Sequence, residues 1–242
     1  MKTAIVSGSN RGIGRSIAVR LAQEEGMNVV LCARDEELLK KTAAEIGPNT
    51  LHVAVDLRLP ESAAKVVDAA VAKFGTVDVL VNNAGATKRG DFEELTDEDF
   101  IDGFALKYFA AVRLTRAAWP QLKKQRGSLV NIVGAGGRTP GALFTIGGSV
   151  NAAVLSFTKA MSEKGIQDGV QVNAINPGPV RTARLAAQLK DKSEDEFLKQ
   201  QRIARICEPE DIAALVAFVL SPHGRLLQGS LIDADGGQTK TI

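Results

Sequence analysis

The stretch Ser7-Gly8-Ser9-Asn10-Arg11-Gly12-Ile13-Gly14 follows the apolar run Thr3-Ala4-Ile5-Val6 and opens a helical pattern over 14–25. Glycines between a strand and a helix let the backbone approach a pyrophosphate and let the helix pack on the strand. The helix N-terminus adds unpaired amides and the positive end of its dipole. A glycine turn by itself also fits an ordinary strand-to-helix connection, and the strand–turn–helix context is what the dinucleotide reading requires. Gly8, Ser9, Asn10, Arg11, Gly12, Ile13 and Gly14 are the first candidate cofactor-binding residues.

Working outward, the same rhythm fills the chain. Strand-like runs fall at 3–7, 28–33, 51–55, 77–81, 128–133, 170–175 and 229–233, with helical patterns at 14–25, 36–46, 61–74, 100–124, 150–164 and 210–220. Short apolar strands with little polar alternation, separated by helices, predict a parallel sheet buried on both faces. Right-handed crossovers then give a doubly wound α/β sheet with ligands at the carboxyl ends of its strands. The absence of repeats, linkers or composition shifts predicts one domain over 1–242. Two segments break the rhythm. Residues 134–148 hold six glycines where a catalytic loop would follow the fifth strand. Residues 183–203 are charged and helical in pattern, as expected of a flap over a ligand site.

Composition narrows the partners. The 242 residues are 45% hydrophobic, and 30 basic against 28 acidic residues leave a formal charge of +2. Both signs are interspersed, so no nucleic-acid or membrane-surface footprint is expected. Cys32 and Cys207 have neither metal-ligand spacing nor a disulfide framework, which fits a reducing compartment. Met1 leads almost directly into the first strand, so no leader is expected. No apolar run approaches the roughly 20 residues of a membrane span. A soluble cytoplasmic protein is the expectation.

The end of the second strand selects the dinucleotide. An acidic residue there binds the adenosine ribose 2′-hydroxyl, whereas an arginine accommodates a 2′-phosphate. The chain reads Cys32-Ala33-Arg34, with Arg11 nearby in the glycine turn. Two guanidiniums suit a phosphate, and NADP(H) is favoured over NAD(H). The alternative is a solvated Arg34, with Asp35 or Glu36 turning back to the ribose.

Further motifs complete a pattern: Asp56-Leu57, Asn82-Asn83-Ala84-Gly85, Asn176-Pro177-Gly178 with Val180 and Thr182, and Asp235-Gly236-Gly237. Together with the glycine turn, the chain resembles the short-chain dehydrogenase/reductase family over essentially its whole length. The resemblance implies a Rossmann-type seven-stranded parallel sheet in the order 3-2-1-4-5-6-7, oxidoreductase activity, and a homodimer or homotetramer. It also implies that Asp56 and Leu57 contact the adenine, that Asn82, Ala84 and Gly85 line its ribose, and that Pro177, Gly178, Val180 and Thr182 hold the nicotinamide and phosphate.

The same resemblance exposes a gap. The family's chemistry rests on an Asn-Ser-Tyr-Lys tetrad, with Tyr and Lys four residues apart on one helical face. Alignment on Val130-Asn131-Ile132 and Phe157-Thr158-Lys159 puts Gly134, Gly147 and Asn151 at the Ser, Tyr and Lys positions. Alignment on Leu106-Lys107 puts Ala105 at the Asn position. The only tyrosine is Tyr108, and no shift of a few residues creates Tyr-x-x-x-Lys. Candidate substitutes near the vacated pocket are Lys88, Arg89, Lys107, Tyr108, Arg138, Thr139, Thr145 and Ser149. Tyr108 is the most tempting of these, against a packing or interface role. Ser149 is a donor or nucleophile, against a helix N-cap. Arg138 is an anion binder, against a solvated loop arginine. His52 and His223 suggest no base–orienter pair. The expectation is an NADP(H)-binding, nominal oxidoreductase without standard carbonyl chemistry. Its alternatives are a silent dinucleotide sensor or partner subunit, or a non-redox enzyme with an unknown small molecule in the same cleft.

Overall fold

The computed structural model describes residues 1–189 and 193–240. Its strands are β1 (Thr3–Ser7), β2 (Asn28–Ala33), β3 (Thr50–Ala54), β4 (Val79–Asn82), β5 (Ser128–Ile132), β6 (Gln171–Pro177) and β7 (Leu231–Ala234). They form one seven-stranded sheet in the order β3-β2-β1-β4-β5-β6-β7, with every neighbouring pair parallel. This is the Rossmann-type order that the resemblance implies. The helices are α1 (Gly12–Gln23), α2 (Glu36–Ile46), α3 (Ser62–Phe74), α4 (Asp97–Gly103), α5 (Ala110–Gln125), α6 (Thr145–Asp168), α7 (Ala183–Gln188), α8 (Glu194–Gln201) and α9 (Pro209–Leu220).

Alternate strand residues divide the core between two faces. Ala4, Val6, Val29, Leu31, Val79 and Val81 pack with Ile17 and Leu21 of α1, Leu39 of α2 and Ile212 and Val216 of α9. Ile5, Val30, Cys32 and Leu80 pack instead with Val66 and Ala70 of α3 and Leu114 and Ala118 of α5. Burial on both faces explains why these strands read as unbroken apolar runs. Each large aliphatic side chain so buried contributes about 1.5–3 kcal/mol. The strand order reverses between β1 and β4, which opens a crevice at their carboxyl ends.

Most boundaries fall within two residues of the sequence reading, and three differences bear on the site. β6 continues through Pro177. The helix expected over 100–124 is α4 and α5 joined by a π-helical turn at Phe104–Phe109. Helix α6 begins at Thr145 rather than near residue 150, so Gly147, Gly148 and Ser149 lie inside it. Ser149 is therefore not an N-cap. Glycine inside a helix costs about 1 kcal/mol relative to alanine, but a Cβ on Gly148 would lie 2.8 Å from Pro140 Cβ. Close packing thus explains its presence there. The expected flap of 183–203 contains α7 and α8, and its residues 190–192 lie outside the described residues. No helix among the described residues is long and apolar enough to cross a membrane.

Candidate active site

The crevice is built first by the glycine turn. Gly8 sits at φ +66°, where a Cβ would approach Ala84 Cα to 3.0 Å, and a Cβ on Gly14 would meet Gly8 O at 2.3 Å. Asn83 clamps this turn to β4, donating through Nδ2 to Ser7 O at 2.9 Å and Gly8 O at 3.2 Å. The Ser7 hydroxyl accepts from the amides of Asn83 and Ala84 at 2.9 and 3.0 Å. Ser9 is buried, and its hydroxyl accepts from Cys32 N at 3.1 Å, so its side chain ties β1 to β2. Helix α1 begins at Gly12 with no side-chain cap from Arg11. Its first turn faces the Thr182 methyl, 3.3 Å from the place of a Gly12 Cβ. Sequence reasoning passed over Asn83 as a clamp, although it stands in the Asn-Asn-Ala-Gly run.

At the end of β2, Arg34 is exposed and Asp35 caps α2, accepting from Leu38 N at 3.0 Å. Glu36 pairs with Lys40 at 3.1 Å. Both acidic alternatives to Arg34 are thus engaged by their own helix. Among the described residues the side chain of neither Arg11 nor Arg34 makes a hydrogen bond or ion pair, while the Arg11 carbonyl accepts from Arg15 N at 3.3 Å. Asp56 is gripped by Arg58, whose Nε lies 3.0 and 3.2 Å from its two carboxylate oxygens and whose Nη2 lies 2.9 Å from one. That bonding holds its pKa below the ordinary carboxylate value.

The floor is a buried polar chain. Asn82 Nδ2 donates to Thr115 Oγ1 at 3.2 Å and to Asn131 Oδ1 at 2.9 Å, and Asn131 Nδ2 donates to Thr158 Oγ1 at 2.9 Å. Asn82 Oδ1 and Asn151 Oδ1 are buried without a hydrogen-bond partner. Asn151 is 3% exposed, and its Nδ2 reaches Gly134 O at only 3.5 Å.

Around Gly134, Gly147 and Asn151 the glycines admit one aromatic ring. A Cβ on Gly147 would lie 2.0 Å from Phe144 ring carbons, and one on Gly136 would lie 2.8 Å from the same ring. The Arg89 guanidinium stacks on that ring at 3.9 Å from its centroid. Ala105 and Lys107 come from the π-helical turn. The Lys107 stem crosses Gly85, where a Cβ would meet its Cδ at 2.9 Å, and its Nζ donates to Val133 O. Desolvation, aided by the charge of Arg184, lowers its pKa to about 7. Arg184 donates to Gly85 O at 2.7 Å.

Other sequence candidates lie elsewhere. Tyr108 packs edge-on against Phe104, Phe109 and Phe157 at centroid distances of 6.2, 5.4 and 6.2 Å. It also touches the cluster of Val133, Val154, Leu155 and Ala174. Ser149 is exposed. Lys88 pairs with Asp99 at 2.7 Å and Arg138 with Asp233 at 2.7 Å. Thr139 donates to Ala135 O at 3.3 Å, and Thr145 Oγ1 is buried without a partner. Val180 is bridged to Cys207. Gly178 abuts Asp235, whose carboxylate accepts from Gly237 N and Thr239 N at 3.0 and 2.7 Å.

A family model described as enoyl-(acyl carrier protein) reductase matches residues 8–239. The 3-oxoacyl-(acyl-carrier-protein) reductase of Vibrio cholerae is 33% identical over 240 residues, 98% of this chain and 96% of that protein. L-sorbose reductase from Gluconobacter frateurii, solved with NADPH and L-sorbose, superposes with a TM-score of 0.92 at 32% identity, covering 100% of this chain and 97% of that one. An NADPH-bound short-chain oxidoreductase from Pseudomonas aeruginosa PAO1, described as containing an atypical catalytic center, gives 0.93 at 26% identity, with 100% and 98% covered. The chain belongs to the short-chain dehydrogenase/reductase family of oxidoreductases.

Proposed function

We propose that the chain binds NADP(H) in the family's cleft but does not perform the family's ordinary carbonyl reduction or alcohol oxidation. The glycine cradle, the unpaired Arg11 and Arg34, and the unpartnered acceptors Asn82 Oδ1 and Asn151 Oδ1 fit a dinucleotide bearing ribose hydroxyls and phosphates. Gly8 to Gly14 and Thr182 would hold the pyrophosphate, Arg11 and Arg34 the 2′-phosphate, and Asp56, Leu57, Asn82, Ala84 and Gly85 the adenosine. Asn151, Pro177, Gly178 and Val180 would hold the nicotinamide end. When bound, the nicotinamide carries the hydride. NADPH is present in the L-sorbose reductase and in the relative with an atypical center, so dinucleotide binding within the family extends to a centre of that kind.

One observation carries the loss of ordinary chemistry: the Phe144 ring fills the space where a side chain at 147 would stand. General acid catalysis contributes about 10²–10⁴-fold and a polarising donor about 10²–10³-fold, and no hydroxyl stands at 134 or 147 to supply either. The test is thermal melting with NADPH and NADH, followed by turnover on a broad aldehyde and ketone panel. A larger stabilisation by NADPH without turnover is expected. No stabilisation by either nucleotide at millimolar concentration, or turnover typical of a reductase, overturns the proposal.

Lys107 favours a second reading, altered chemistry in the same cleft. Its amine stands within the site with a pKa near neutrality, where a proton can be both held and released. A silent sensor or partner subunit, assembled as a homodimer or homotetramer in the cytoplasm, shares the cofactor prediction and differs in turnover alone.

A further inference from the structure

Several arginines of the described residues have acidic partners. Arg58 pairs with Asp56, Arg181 with Glu194 and Glu208, and Arg205 with Asp211. Arg89, Arg184 and Lys107 do not. Among the described residues no carboxylate hydrogen-bonds or ion-pairs with any of the three.

These cations converge on one place. Arg184 reaches from α7 to Gly85 O, and the Lys107 stem lies against the place of a Cβ on the same glycine. Arg89, four residues beyond Gly85, lies on Phe144. Their charges are mutually unfavourable: burial first, and Arg184 second, lower the pKa of both Arg89 and Lys107. Like charges gathered in a cleft without counter-ions favour an anion entering from solvent.

The glycines at 136 and 147 acquire a purpose here, because a side chain at either would collide with the ring on which Arg89 rests. A guanidinium stacked by its face keeps its edge N–H donors for a planar or tetrahedral anion. We propose that Arg89, Arg184 and Lys107 form an anion subsite that takes the carboxylate or phosphate of an anionic substrate. The inference rests on the reading of the cleft as a dinucleotide site, which assigns Arg11 and Arg34 to the cofactor and puts this trio beside Gly85 at the cofactor's edge, where a substrate anion would meet it.

Binding an anion there raises the proton affinity of Lys107 and takes up a proton from solvent near neutral pH. Among the charged groups facing the trio, Arg11, assigned to the cofactor, acts on Arg184 from the glycine turn and, after burial, lowers its pKa. Arg184 comes from α7, Lys88 on the loop after β4 is already neutralised by Asp99, and β5 presents only the Val133 carbonyl to the amine.

The experiment is calorimetric titration of inorganic phosphate into free protein and into protein saturated with NADP⁺, at constant ionic strength in two buffers of different ionisation enthalpy. Phosphate is expected to bind both forms with net proton uptake. Arg89→Gln should weaken it about tenfold or more while NADP⁺ affinity changes by less than about twofold. Lys107→Met should abolish the proton uptake. Competition between phosphate and NADP⁺, with Arg89→Gln weakening both alike, assigns the anion to the cofactor and overturns the substrate subsite. Phosphate binding that is undetectable, or insensitive to Arg89→Gln, overturns it too. Failure of NADP⁺ to bind, with Arg89-dependent phosphate binding intact, refutes the cofactor assignment and leaves the subsite standing.

Discussion

Lys107 holds its ammonium group against backbone and its own stem against Gly85, with Arg184 as the neighbouring charge. A lysine whose folded pKa is about 7 loses its proton earlier than in the unfolded chain, where the value is about 10.4. The unfolded state therefore binds more protons between these limits, and stability attributable to this group rises with pH across that window. Lys107→Met should be more stable than the parent at or below pH 7, with the difference in melting temperature fading towards pH 10. A constant difference would contradict the assignment. At Gly147 the expectation is steric. Gly147→Tyr should lower the melting temperature, and adding Phe144→Ala should recover part of the loss, a favourable coupling that a double-mutant cycle would detect. At the adenosine end, Arg34→Asp should weaken NADPH and spare or improve NADH, as read by melting shifts with each nucleotide. An unchanged preference would remove Arg34 from the 2′-phosphate site. The glycine turn was legible because the positive φ at Gly8 and the close packing at Gly14 are written in residue type. Phe144 was not, since its role is to fill room that Gly136 and Gly147 leave.

At the scale of elements, α5 and α6 are joined at their ends by Asp168. Its carboxylate accepts from Trp119 Nε1 at 2.8 Å and lies 2.7 and 2.9 Å from Lys123 and Lys164. These partners hold its pKa well below the ordinary carboxylate value. Its contribution is fully present above the unfolded pKa of about 3.9 and is lost as pH falls through the folded value. Asp168→Asn should lower the melting temperature at pH 7, with a smaller penalty once the pH falls well below 3.9. The π-helical turn explains why Tyr108 was a more tempting sequence candidate than Lys107. Facing rules at i+3 and i+4 assume 3.6 residues per turn, and an i→i+5 turn changes that phase. Lys107 thus enters the cleft, while Tyr108 joins the aromatic seam with Phe157. The early start of α6 was hidden for another reason. Gly147 and Gly148 argue against a helix by propensity, yet the seats of Phe144 and Pro140 require them.

Across the whole molecule, the parallel sheet was the most legible feature, because burial on both faces leaves mainly apolar runs in the central strands β1, β2 and β4. The order β3-β2-β1-β4-β5-β6-β7 came from the resemblance and is observed. The close packing of Gly14 on Gly8 and of Gly178 on Asp235 links the two lips of the crevice to the sheet. A dinucleotide spanning them should stabilise the global fold rather than a local loop, by about 2.7 kcal/mol at one hundred times its Kd. Hydrogen exchange should then slow in both halves of the sheet, and protection confined to residues 183–203 would contradict a spanning ligand.

The Phe144–Gly147 contact also constrains the order in which this site can change by mutation. Any side chain introduced at 147 meets the ring at 2.0 Å unless Phe144 has already turned away or been replaced. Replacing Phe144 first removes the platform under Arg89 and gains nothing until 147 follows. A lineage carrying both residues is therefore separated from one with a side chain at 147 by an unfavourable intermediate, and single-step selection tends to keep it where it is.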